Sequence, residues 1–172
     1  MSYLVNITSK IFSLEELLTQ VTTWKKNNKK IVFTNGCFDI LHRGHVEYLA
    51  QAADFGDKLI IAVNSDASVK RQGKGDSRPL QDEYSRTLLI AALDFVAAVV
   101  VFDDDTPFDL INAIQPNVLI KGGDYDPKCT DKTDKKYIVG SDVVLNNNGT
   151  VEVIQFVPGY STSKIEEKIK QQ

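Results

Sequence analysis

The chain is poor in the residues that mark several large classes of protein. Of its 172 residues only two are cysteines, Cys37 and Cys129, so no disulfide framework is available and a reducing, cytoplasmic setting is expected. There is no surplus of basic charge. A net charge of −3 gives no footprint for nucleic acid or an anionic membrane surface. No apolar run approaches the roughly 20 residues of a membrane-spanning helix. The opening stretch MSYLVNITSK lacks the basic start, apolar centre and small-residue cleavage site of a secretory leader, so none is expected. Internal repeats and low-complexity tracts are also missing. The apolar and charged fractions, 42% and 25%, are ordinary for a globular protein, and the length suits one domain. Residues 1–172 are therefore read as a single domain, with 1–30 as a helical extension packed on it. Histidine is as scarce as cysteine, with two residues, His42 and His45, and both fall in one stretch.

That stretch, Ile31 to Leu49, organises the rest. Ile31-Val32-Phe33 is a β-branched and aromatic run that reads as a buried strand. Asn35-Gly36 then breaks it as a turn signal. Asp39, His42 and His45 follow, and Val46, Leu49, Ala50 and Ala53 resume at helical spacing before Gly56. Strand, glycine-containing loop and helix in that order aim backbone N–H groups and the positive end of a helix dipole at one place, which suits an anion. Two imidazoles three residues apart at a helix start point to one side and suit a phosphate. The same spacing fits two metal ligands, but no cysteine or third histidine follows at ligand distance. Asp39 could also simply cap the turn through an Asx hydrogen bond.

Gly36-Cys37-Phe38-Asp39-Ile40-Leu41-His42-Arg43-Gly44-His45 resembles the GxFDxxHxGH signature of the HxGH nucleotidyltransferases. Within that superfamily the chain is most similar to the D-glycero-β-D-manno-heptose 1-phosphate adenylyltransferases. These occur alone or as the C-terminal half of a bifunctional ADP-heptose synthase. Asn64 to Lys70, Arg78-Pro79, Lys121 to Tyr125 and Gly159 to Ile165 carry further likeness, which runs from about residue 11 to the end. HxGH alone specifies the superfamily, whereas NGCFD and KGGDY together point to the sugar-phosphate branch.

Along the rest of the chain, Ser13-Leu14-Glu15-Glu16 is a capping box. It opens a helix with Leu14, Leu17, Leu18, Val21 and Trp24 on one face and lysines at its end. Leu59–Val63, Ala97–Phe102, Val118–Ile120 and Val151–Phe156 are further buried strands. The stretch from Lys70 to Leu80 is basic and glycine-rich and reads as a solvated loop or as a flap closing over a triphosphate. Asp82 caps a helix that carries Arg86. Asp103-Asp104-Asp105 before Pro107 is read as a helix start in preference to a metal cluster. Residues 126–136 are an exposed loop, and Ser161 to Lys170 form the last helix.

The expected fold is α/β: a single Rossmann-like, doubly wound parallel sheet of five strands in the order 3-2-1-4-5, of the HxGH nucleotidyltransferase type. Its ligand crevice would lie between the first and fourth strands. The resemblance implies joining of ATP and a heptose 1-phosphate into ADP-heptose and pyrophosphate, with a cytidylyl- or adenylyltransferase for another phosphomonoester, such as glycerol 3-phosphate, as the alternative. It implies catalytic roles for His42, His45, Lys70, Lys74 and Arg86. Nucleotide binding falls to Asn35, Gly36, Cys37, Phe38, Asp39, Gly44, Lys121, Gly122, Ser161, Thr162 and Ser163. Substrate binding falls to Asp66, Arg78, Gly123, Asp124 and Tyr125. Mg²⁺ is expected on the nucleotide phosphates and water, with no protein ligand assigned. The expected partners are these small molecules, with neither nucleic acid nor membrane, and with room for a homodimer.

Overall fold

The run Ile31-Val32-Phe33 occupies the middle of a sheet in the computed structural model of the protein, which describes residues 2–73, 78–123 and 125–171. Six parallel strands form that sheet: β1 (Ile11–Phe12), β2 (Ile31–Gly36), β3 (Lys58–Asn64), β4 (Val96–Phe102), β5 (Val118–Gly122) and β6 (Thr150–Ile154), in the spatial order β1-β4-β3-β2-β5-β6. The five expected strands stand in their expected order. The count is corrected by β1, a two-residue strand paired with β4 at the edge and too short to show an alternation in sequence.

Successive side chains of a strand face opposite sides, and here both sides are apolar. Ile31 and Phe33 join Ile60, Ala62 and Leu119 on one face, covered by Leu17, Val21 and Trp24 of α2 (Leu14–Lys26) and by Leu110, Ile111 and Ile114 of α6 (Phe108–Ile114). Val32, Ile61, Val63 and Ile120 face the other way, against Tyr48, Leu49 and Ala52 of α3 (Arg43–Ala53) and Ile90 and Ala91 of α5 (Glu83–Ala91). A fully buried side chain such as Phe33 is worth about 1.5–3 kcal/mol relative to exposure. The Ser13 capping box forms as read, with the Ser13 backbone N–H donating to Glu16 Oε2 at 2.9 Å. A further short helix, α1 (Tyr3–Thr8), precedes β1.

Several local readings are corrected. Lys70 and Arg71 are not loop residues but end α4 (Asp66–Arg71), capped by Ser65, whose side chain accepts from the Ser68 N–H at 2.9 Å. The acidic run does not start a helix. Pro107 is the cap residue of α6, and Asp103 and Asp105 instead bracket Arg71, with Arg71 Nε 2.8 Å from Asp105 Oδ1. Helix α7 (Ser141–Asn146) follows Gly140 and escaped notice because its apolar face is only Val143, Val144 and Leu145. β6 stops at Ile154, so Phe156 lies beyond the sheet. The last helix, α8 (Thr162–Lys170), is capped by Ser161.

From β2 the chain winds outward through β3 and β4, then crosses to the other side of β2 to make β5. The strand order thus reverses between β2 and β5, and the loops leaving Gly36 and Gly122 flank a crevice there. No helix of the described residues is long and apolar enough to cross a membrane.

Candidate active site

His42 is the cap residue of α3, and its Nδ1 accepts from the His45 backbone N–H at 3.3 Å. With Nδ1 used as an acceptor, a neutral His42 carries its proton on Nε2. The two imidazoles stack with centroids 3.8 Å apart, and Phe38 meets His45 edge-on at 5.3 Å. Burial pushes His42 below its ordinary range. Burial, then the neighbouring His42 charge, pushes His45 down to about 4, against the Ile40 carbonyl, which favours the proton. Both rings are therefore neutral near pH 7. His45 Nδ1 is buried with no hydrogen-bond partner among the described residues.

Two cavities meet at His45. The larger, about 540 Å³, is lined by Asn35, Gly36, Cys37, Phe38, Asn64, Gln72, Asp105, Thr106, Lys121, Gly122, Tyr125, Lys135 and Tyr137 among others. The smaller, about 230 Å³, is lined by His42, Gly44, Val157, Tyr160, Ser161 and Thr162. His45, Tyr48 and Phe156 line both and so form the wall between them. Gly122 and Gly123 are required by that wall. A Cβ on either would come within 2.4 or 2.3 Å of the Phe156 ring, and Gly123 has a φ of +87°.

Lys121 lies at the C-terminal end of β5. Its Nζ donates to Asn35 Oδ1 at 2.5 Å and sits 5.8 Å from the Tyr125 ring centroid. No carboxylate within ion-pair distance is found among the described residues, and burial lowers its pKa to about 8. A buried ammonium with only neutral partners favours an incoming anion.

The remaining residues singled out from sequence divide into those that face the cavities and those that hold the frame. Asp39 is 5% exposed and bonded throughout: Oδ2 to Arg78 at 2.5 Å, and Oδ1 to the N–H groups of Leu80 and Gln81 at 2.8 and 3.0 Å. Burial raises its pKa, but Arg78 and these N–H groups outweigh that and leave it below the ordinary carboxylate range. Arg78 also reaches Glu166 of α8 at 2.5 Å, tying the last helix to the signature loop. Arg86 is completely buried. It donates to the carbonyls of Cys37 and Gln81 at 2.7 and 3.0 Å and to Asp66 Oδ1 at 2.7 Å. Asp66 and Arg86 thus pair with each other and Arg78 with Asp39 and Glu166, and none of the three lines either cavity. Lys70 is exposed on α4 and Ser163 on α8, neither lining a described cavity. Lys74 and Asp124 lie outside the described residues. Tyr48 and Phe156 were missed. Tyr48 shares the helix face of His45, three residues earlier, and was masked by the apolar stripe it belongs to. Phe156 read as the end of a strand.

A cytidylyltransferase-like family model matches residues 33–168. The chain is 52% identical over 166 residues to a bifunctional protein HldE of Campylobacter jejuni, covering 96% of this chain and 32% of that protein. It is 50% identical over 162 residues to the bifunctional protein HldE of Geotalea uraniireducens, with 94% and 31% covered. The chain therefore spans about a third of the length of these curated relatives. Among solved structures, a lipopolysaccharide core biosynthesis protein from Thermoplasma volcanium superposes with a TM-score of 0.55 at 26% identity, over 75% of this chain and 97% of that one. A pantoate-beta-alanine ligase from Francisella tularensis shares the fold, with a TM-score of 0.59 at 12% identity over 93% and 76%.

Proposed function

Because the chain belongs to the cytidylyltransferase-like family, we propose that it transfers the adenylyl group of ATP to D-glycero-β-D-manno-heptose 1-phosphate, giving ADP-heptose and pyrophosphate. The observation that carries this reading is the pair of cavities meeting at His45, one on the histidine helix start and one around a buried cation. Such a site receives two anions and brings them together. The resemblance of NGCFD and KGGDY to the heptose 1-phosphate enzymes supports the choice of sugar.

The reaction joins an oxygen of the sugar phosphate to the α-phosphorus, while the bond from the α-phosphorus to the bridging oxygen breaks and its electron pair leaves on pyrophosphate. The attacking phosphate is already ionised near neutral pH, so no strong base is required. Catalysis then consists of positioning and stabilisation of charge developing on the leaving group. His42, with its proton on Nε2, and His45 donate to the phosphate oxygens. The start of α8, with Ser161 and Thr162, offers hydroxyls and N–H groups. Mg²⁺ would supply charge neutralisation on the triphosphate. Asp39 is fully occupied by Arg78 and two N–H groups, and no three acidic, histidine or cysteine groups converge among the described residues. The ion would then ride on phosphate oxygens and water, as suits a small hard cation. Mass spectrometry of the product from ATP and the heptose phosphate tests the reading. With ATP and CTP offered in equal amounts, an ADP-sugar supports it; a CDP-linked product, or none with any sugar phosphate, overturns it.

A further inference from the structure

Two anionic substrates must approach to bonding distance, and like charges resist this unless groups that favour negative charge stand on each side. The smaller cavity has its own anion-binding groups: the N-terminus of α3, the N-terminus of α8, His42 and the Ser161 and Thr162 hydroxyls. Lys121 does not line it. Lys121 opens into the larger cavity, where Asn35 holds its ammonium and no carboxylate neutralises it among the described residues. The rest of that cavity mixes the polar groups Asn64, Gln72, Thr106 and Tyr137 with the charged side chains Asp105 and Lys135 and with aromatic rings such as Phe38 and Phe102. Amides and hydroxyls of this kind suit a ligand with many hydroxyls, and 540 Å³ is within the range for a small-molecule site.

We propose that Lys121 receives the phosphate of the acceptor, a polyhydroxylated phosphomonoester held in the larger cavity, while the triphosphate lies on the His42 side of the Phe156 wall. This deepens the adenylyl-transfer reading and rests on it for the existence of an acceptor. It moves Lys121 from nucleotide binding, where resemblance placed it, to the second substrate. Asn35 is the positioning residue, since its carbonyl oxygen fixes the ammonium. The role also accounts for a partly buried cation with no carboxylate partner among the described residues: the acceptor supplies the opposite charge. Lys121 then stands beside the attacking phosphate as it approaches the α-phosphorus, and weakens the repulsion between the two.

The test is calorimetry at pH 8 on wild type, Lys121→Gln and Lys121→Arg, in two buffers of different ionisation enthalpy. The ligands are α,β-methylene-ATP with Mg²⁺, inorganic phosphate and D-mannose 1-phosphate. In wild type the two phosphates should bind with uptake of about half a proton, because Lys121 is half-protonated near pH 8 and an anion restores its charge. Lys121→Gln should weaken both phosphates by about tenfold or more and remove the uptake, while changing the methylene-ATP affinity by less than about twofold. Lys121→Arg should keep phosphate binding without the uptake, because arginine stays charged. Loss of methylene-ATP binding with the phosphates unaffected, no change in any of them, or failure of wild type to bind either phosphate would overturn the assignment. Binding is read without turnover. An enzyme that shows this split yet releases no pyrophosphate refutes adenylyl transfer while leaving Lys121 as a phosphomonoester ligand.

Discussion

Replacing Lys121 by methionine should stabilise the ligand-free protein while removing its activity. The lysine is partly buried, and desolvation lowers its pKa from 10.5 to about 8. Each unit of such a shift corresponds to about 1.4 kcal/mol, so holding the charge in the fold costs about 3 kcal/mol. The sign follows from proton binding. Below pH 8 the lysine is charged in both states and the folded state bears the whole cost. Between 8 and 10.5 the unfolded chain keeps the proton that the fold has released, so wild-type stability gains from this group as pH rises through that window. Methionine fills similar space without the charge, but leaves Asn35 Oδ1 without its donor, a loss of about 1 kcal/mol. The net expectation at pH 7 is a gain of about 1–3 kcal/mol, raising the melting temperature by roughly 2–12 °C for a chain of this size. The advantage should fade as pH rises from 8 to 10.5. Urea unfolding of both proteins at pH 7 and pH 10 measures it. A variant less stable than wild type at pH 7, or an advantage that grows with pH, would refute the reasoning.

Three further outcomes are expected. His45→Ala should fold normally and lose turnover by about 10²–10³, the usual effect of removing one preorganised donor to a developing charge; circular dichroism and kcat check both halves. Arg86→Met should lose about 2–4 kcal/mol in urea unfolding, because the hydrogen bonds to the Cys37 and Gln81 carbonyls and the ion pair to the partly exposed Asp66 all go at once. Gly122→Ala should push the Phe156 ring out of the wall and raise KM more than it lowers stability, and adding Phe156→Ala should cost less than the sum of the two, a non-additivity read from a double-mutant cycle.

The parallel sheet and its switch point were legible in sequence because each central strand is a run of β-branched residues long enough to show. The signature loop was legible because strand, turn and helix follow within 19 residues, Ile31 to Leu49. β1 and α7 were not, since two residues and six residues are too few to reveal a period. At the site, spacing put both histidines on one helix start, where they stack. It could not show which charges are already satisfied. Arg78 and Arg86 look like phosphate ligands in sequence because every arginine is a free cation there. In the fold, Asp39, Glu166 and Asp66 occupy them, and those carboxylates come from segments distant in sequence. Lys121 shows the opposite. A lysine after an apolar strand looks ordinary until partial burial, with no carboxylate partner among the described residues, sets it apart. Phe156 carried no signal, because its place over Gly122 and Gly123 arises only when β5 and β6 pair.

The most direct measurement of the central claim is pyrophosphate release across a matrix of nucleoside triphosphates and phosphomonoesters, with Mg²⁺ present throughout. ATP with D-glycero-β-D-manno-heptose 1-phosphate should give the highest kcat/KM of the matrix, and by about an order of magnitude or more over ATP with glycerol 3-phosphate, since a site that hydrogen-bonds several hydroxyls rejects a ligand lacking them. Preference for CTP with glycerol 3-phosphate, or release no faster than in the His45→Ala variant, would contradict it.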